Sequence, residues 1–245
     1  MEILKGKKED LEKKAADLVI AQIESLDAVV LGLVGGNSVT GVYSKLFEAD
    51  INWSKVHIFM VDERCVPVTS EESNFKGIYE KFLRELVATG KLPEENIHPF
   101  HFDEIHEENC VTEYNEEFKK IKSQNGLFEP RNEPKSLHVQ TFDIVILSAG
   151  EDGHIGSLFP NHASINDESD GFIAVNDSPK APSKRISASR KMLENSDMGI
   201  LLFFGENKRE AFENFQDDKL PVIDCPAKLV TQMKEAYIVA DLNYL

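Results

Sequence analysis

Five short apolar runs constrain this chain more than any other feature: DAVVLGLVGG, VHIFMVDE, FDIVILSAGEDG, MGILLFFGENK and AYIVADL. Runs that are apolar on both faces belong to strands buried on both sides, and such strands occur in parallel sheets covered by helices. The stretches between them have the matching period. Across Asp10 to Leu26, apolar residues recur at helical spacing: Leu11, Ala15, Leu18, Val19, Ile23 and Leu26. Val39 to Phe47 reads as the next helix. Ser73 to Ala88 reads as another, with Ile78, Phe82, Leu86 and Val87 on one side, and a further helical stretch begins near Lys208. The expected class is α/β: three layers, with a mostly parallel twisted sheet and helices on both faces. In such sheets the ligand sits beyond the carboxyl ends of the strands, where the glycine-rich and charged segments of this chain fall.

At 245 residues the chain is expected to form one domain over 1–245. There is no internal repeat. Ser123 to Lys135, rich in Gly, Pro, Asn and Glu, reads as an exposed loop. Asp and Glu total 43 against 27 Lys and Arg, a formal net charge of -16. That argues against nucleic acid or an anionic membrane as the main partner, since both need a basic face. An anionic substrate would need positive charge gathered locally. Three cysteines without CxxC pairing point to a reducing compartment, and the cytoplasm is the expected location. The N-terminus lacks the apolar stretch of a secretory signal, and the densest apolar run, Ala28 to Val34, is too short to span a bilayer.

Four segments carry residues suited to chemistry. Gly35-Gly36-Asn37-Ser38 lies between a strand and a helix. It reads equally as an anion-binding turn or as a tight turn with Ser38 as N-cap. Asp62-Glu63-Arg64 follows a strand. Arg64 suits a phosphate and Asp62 a sugar hydroxyl, but a solvated loop with an internal ion pair explains the three charges as well. Gly150-Glu151-Asp152-Gly153-His154 sets an imidazole on a glycine-rich turn at a strand end. Its titration range suits proton transfer, and Asp152 can raise its basicity. Ser178-Pro179-Lys180-Ala181-Pro182-Ser183-Lys184-Arg185 concentrates cations in an acidic chain, with prolines limiting the loop's freedom.

His98, His101, His106 and Cys110 lie close in sequence, but their spacing fits no standard zinc pattern and Pro99 breaks helical geometry, so no metal is expected there. His57, His138 and His162 have no partner visible in the sequence.

Together the four segments resemble those of the 6-phosphogluconolactonases, whose superfamily includes the glucosamine-6-phosphate deaminases. GGNSVTGVY is similar to that family's GGSTPxxxY loop, VDERCVPVTSEESNF to its DERxVPxxxxxSN motif, SAGEDGHIGSLFP to its GxDGHxASLFP motif, and SPKAPSKRIS to its PKPPxxRIT segment. They occur in the family's order, between about residues 28 and 190. Asn37-Ser38-Val39 stands where the family usually has Ser-Thr-Pro.

The resemblance implies a Rossmann-like α/β fold and hydrolysis of 6-phosphogluconolactone, with His154 catalytic. It implies that Arg64 and Lys180 bind the substrate phosphate with the loop Gly35, Gly36, Asn37 and Ser38. Asp62 and Asp152 would line the site as acidic positions, with Asp62 assigned to the catalytic set, and Arg185 would contact substrate. No cofactor is expected, because a lactone is already an activated ester. The competing readings are an amino-sugar phosphate deaminase/isomerase and a non-catalytic sugar-phosphate sensor. SLFP after Gly-His-Ile-Gly, in place of a deaminase-like IAFNEP, favours the lactonase.

Overall fold

A computed structural model describes residues 1–124 and 140–242. Most of the loop read at 123–135, and His138, lie outside the described residues. The chain runs through β1 (Glu2–Lys5), α1 (Lys8–Ser25), β2 (Val29–Leu33), α2 (Thr40–Glu48), β3 (Val56–Met60), β4 (Asp62–Arg64), α3 (Asn74–Ile78) and α4 (Arg84–Ala88). It continues through β5 (Ile97–His98), α5 (Glu107–Gln124), β6 (Ile144–Ser148), β7 (Phe172–Val175), β8 (Arg185–Ala188), α6 (Arg190–Glu194), β9 (Met198–Phe203), α7 (Arg209–Gln216) and β10 (Glu235–Ala240).

Seven strands form one sheet in the order β1–β10–β9–β6–β2–β3–β5. Every pairing in it is parallel. Flanking helices complete the expected three-layer α/β arrangement. All five residues of β2 and all six of β9 are buried, which explains their lack of polar alternation. In β2, Gly32 has no room for a Cβ: it would sit 2.9 Å from both Phe142 and Val61.

The strand order turns at the sheet centre. From β2 the chain steps outward through β3 to β5, then returns to the other side of β2 as β6 and steps outward through β9 and β10. The carboxyl ends of β2 and β6 therefore diverge into neighbouring loops at the switch point, where α/β sheets form their ligand crevices. A second, three-stranded antiparallel sheet, β4–β8–β7, adjoins this edge.

The helix over 73–88 contains a wider π turn at Tyr79–Leu83 between α3 and α4. Ser73 caps it by accepting from Lys76 N at 3.1 Å. Of the histidines read as a conceivable metal group, His98 and His106 have separate partners. His98 is buried with Nδ1 2.6 Å from Glu117 and Nε2 3.0 Å from His57 Nδ1, while His106 faces Asp103. If His98 donates to Glu117, its Nε2 must accept from His57. Burial, reinforced by His98, pushes the His57 imidazole down to about 4. The unfolded chain then binds the extra proton between pH ~6.5 and the folded value. This group's contribution should be fully present above pH ~6.5 and fall as pH drops through about 4. Urea unfolding of wild type and His57→Gln at pH 7, 6 and 5 should show a shallower pH slope in the variant; equal slopes would contradict the assignment.

Candidate active site

The chain leaves β2 through Val34, which α2 holds from above. Tyr43 Oη donates to Val34 O at 2.8 Å and accepts from Val34 N at 3.2 Å. At Gly35 a Cβ would fall 2.2 Å from Asn74 Oδ1, so only glycine permits the close approach of α3. Gly36 sits at φ +107, where open space does not relieve the backbone cost to an L side chain. The helix begins at Thr40, whose hydroxyl donates to Asn37 O at 2.8 Å. Val39 is the cap residue and no side chain caps α2, so the alternative role of Ser38 as N-cap is not realised.

Asp62-Glu63-Arg64 is not a solvated loop. It forms β4 against β8, with Asp62 and Glu63 buried. The Glu63 carboxylate accepts from Ser73 Oγ at 2.9 Å and from the backbone N–H groups of Arg64, Asn74 and Phe75 at 2.7 Å each. It thereby fixes the start of α3. Burial pushes its pKa up against these four bonds. Asp62 accepts from Ser157 Oγ at 3.0 Å. Arg64 Nη1 donates to Glu72 O at 2.6 Å, and its Nε is buried without a partner.

Gly35, Gly36, Asn37 and Arg64 line one cavity of about 410 Å³. Ser38 is not among its lining residues, nor are His154, Asp152 and Lys180.

Beyond β6, Gly150 N donates to His154 O at 2.8 Å and Gly153 N to Gly150 O at 3.1 Å, closing a tight turn. A Cβ on Gly150 would lie 1.9 Å from the imidazole, and Gly153 has φ +83. The turn presents His154 with its ring centroid 4.7 Å from that of Phe159. His154 Nδ1 is 2.5 Å from Asp152 Oδ1, and Lys180 Nζ is 3.2 Å from Asp152 Oδ2. Burial favours protonation of Asp152, but the hydrogen bond from His154 and the charges of His154 and Lys180 outweigh it and hold the carboxyl well below its usual range. Lys180 Nζ also lies 3.3 Å from Nδ1. A nitrogen that donates to Asp152 cannot accept from Lys180, so the lysine is held through the carboxylate. This leaves Nε2 of His154 as the basic nitrogen.

Arg185 stands behind this group. It is buried and donates to the carbonyls of Lys180, Ala181 and Pro182 at 3.0–3.2 Å, bracing the loop that carries Lys180 across a cis Ala181–Pro182 bond. The imidazole's carboxylate partner is Asp152; Asp62 bonds Ser157, four residues downstream of Gly153. Lys208, just beyond β9, lies in none of the four segments. Burial and the nearby charge of Lys180 lower its pKa, against the opposing pull of Glu151 and Asp152. Its signal was available: GENK follows an apolar strand, as the other site segments do.

Residues 6–239 match the family model described as glucosamine-6-phosphate isomerases/6-phosphogluconolactonase. The chain belongs to this family of α/β enzymes. Over 244 residues it is 31% identical to a 6-phosphogluconolactonase of Borreliella burgdorferi, covering 99% of this chain and 97% of that protein. The crystal structure of a Thermotoga maritima 6-phosphogluconolactonase aligns with TM-score 0.76 at 24% identity, over 98% of this chain and 99% of the other. A monomeric glucosamine-6-phosphate deaminase aligns with TM-score 0.78 at 17% identity, over 98% and 97%. At these identities the two structures establish the shared fold alone.

Proposed function

We propose that this protein hydrolyses 6-phosphogluconolactone to 6-phosphogluconate. The observation that carries the reading is the 2.5 Å contact from Asp152 to His154 Nδ1 at the mouth of β6, which leaves Nε2 as a base. The phosphate docks at the cavity of Gly35, Gly36, Asn37 and Arg64, and this remote binding energy orients the lactone carbonyl. His154 takes a proton from water as it attacks that carbon. The imidazolium, stabilised by ionised Asp152, then returns the proton to the leaving ring oxygen. The tetrahedral oxyanion forms near the Lys180 ammonium, which supplies positive charge on the histidine side. The sugar phosphate is the small-molecule partner, and the cytoplasm is where such a substrate would be met.

The deciding assay generates the lactone freshly with a dehydrogenase and follows its loss against the spontaneous rate. Acceleration by the folded protein supports the proposal. No acceleration, with ammonia released from glucosamine 6-phosphate, would replace it with the deaminase reading. Tight binding of sugar phosphates without turnover of either would favour the sensor.

A further inference from the structure

The cavity beside Arg64 has a second cation that no motif marks. Lys81 lines it together with the Gly36–Asn37 turn. The cavity's lining includes no Asp or Glu, although the chain carries a net charge of -16. Two polar groups there lack partners: Arg64 Nε is buried and unbonded, and the Lys81 ammonium makes no hydrogen bond or ion pair with any described residue. Lys81 also lines a small depression of about 80 Å³ with Glu80, Glu85 and Arg84, and it forms no ion pair with either glutamate. A cavity of about 410 Å³, cationic and free of carboxylates, suits a small anionic molecule.

The local fold places Lys81 there. It lies in the π turn Tyr79–Leu83, a kind of helical bulge found frequently at functional sites. The next residue, Phe82, is buried and stacks on Tyr43 with centroids 5.3 Å apart at 14°, and meets Trp53 edge-on at 5.7 Å. Tyr43 is in turn tied to Val34, so the turn carrying Lys81 rests on a rigid wall continuous with the glycine loop. Gly77, one turn earlier, also lines the cavity, and a Cβ there would meet nothing within 4 Å.

We propose that Lys81 is a specificity-determining residue of the phosphate subsite, binding the substrate's phosphate dianion jointly with Arg64 and the Gly36–Asn37 turn. The proposal rests on the reading that the substrate is a phosphorylated sugar lactone. An ammonium is a mobile point charge, whereas Arg64 is held through Glu72 O. Lys81 would thus adjust to the phosphate while Arg64 stays fixed.

The test compares wild type, Lys81→Gln and Lys81→Arg on 6-phosphogluconolactone and on unphosphorylated gluconolactone, with calorimetric titration of 6-phosphogluconate. Lys81 is exposed, so the fold should survive either change. In Lys81→Gln, KM for the phosphorylated lactone should rise about tenfold, the scale of one lost charge-assisted hydrogen bond, with a much smaller change in kcat. The preference for the phosphorylated over the unphosphorylated lactone should fall by a similar factor, and Lys81→Arg should restore most of it. Unchanged KM and preference in Lys81→Gln would overturn the proposal and leave the lactonase reading intact. If wild type proves not to be a lactonase, a tenfold weaker Kd for 6-phosphogluconate in Lys81→Gln would still uphold the anion subsite. An equal Kd, or no binding by wild type, would overturn it.

Discussion

Replacing His154 by Gln is expected to slow hydrolysis of 6-phosphogluconolactone by about 10²–10⁴, the usual worth of a positioned general acid–base group. The imidazole lies on Phe159 in a turn closed by backbone hydrogen bonds, and glutamine fills similar space without straining Gly150 or Gly153. What it lacks is a nitrogen that can take a proton from water and return it to the leaving oxygen. The cavity proposed to take the phosphate is lined by other residues, so 6-phosphogluconate should bind the variant with nearly wild-type affinity. A loss of kcat with retained product affinity is the signature of an interaction used only on the way to the transition state. A Gln variant that kept its kcat would remove His154 from the mechanism.

Asp152→Asn is expected to have the next largest effect, again a loss of about 10²–10⁴ in kcat. The carboxylate can only accept, so it places the proton on Nδ1 of His154 and leaves Nε2 free. An amide can turn its NH₂ to the ring, making Nδ1 the acceptor and moving the proton to the nitrogen that should act as base. The change also strips Lys180 of its counter-ion at 3.2 Å, leaving an uncompensated cation beside a ring that must become cationic. A second readout separates this from general damage. Asp152's folded pKa is depressed, so its contribution to stability is present above the unfolded value, ~3.9, and is lost as pH falls through the folded one. Wild type should lose stability below pH ~4 more steeply than Asp152→Asn, as followed by urea unfolding. Full activity in the variant would mean that the imidazole needs no carboxylate to set its tautomer.

The parts of the fold legible in the sequence were those whose burial is two-sided or strongly periodic. β2, β3, β6, β9 and β10 are runs in which almost every side chain is buried, and α1 carries its buried residues at Leu11, Ala15, Val19 and Ile23. β1 escaped notice because EILK is an edge strand with no buried residue, and β5 because it is two residues long. α5 hid behind its charge. Its buried Cys110, Tyr114, Phe118 and Ile121 have helical spacing, but the acidic residues between them mask the pattern.

The sequence by itself determined where residues suited to chemistry cluster along the chain. Glycines, charges and the imidazole follow apolar strands, and the carboxyl ends of parallel strands share one edge of a sheet. Only the tertiary structure decided how those residues divide their work. Arg64 and the glycine loop share a cavity while Lys180 stands with Asp152 and His154; Arg185 braces a loop; and Glu63, outwardly one of three solvated charges, is buried to hold the start of α3. The reason is physical. A charged side chain's role depends on which donors, acceptors and counter-charges come within about 3 Å of it, and the folded backbone sets these, whether the partner is a few residues away, as for Arg185 and Pro182, or on a separate loop, as for Asp152 and Lys180.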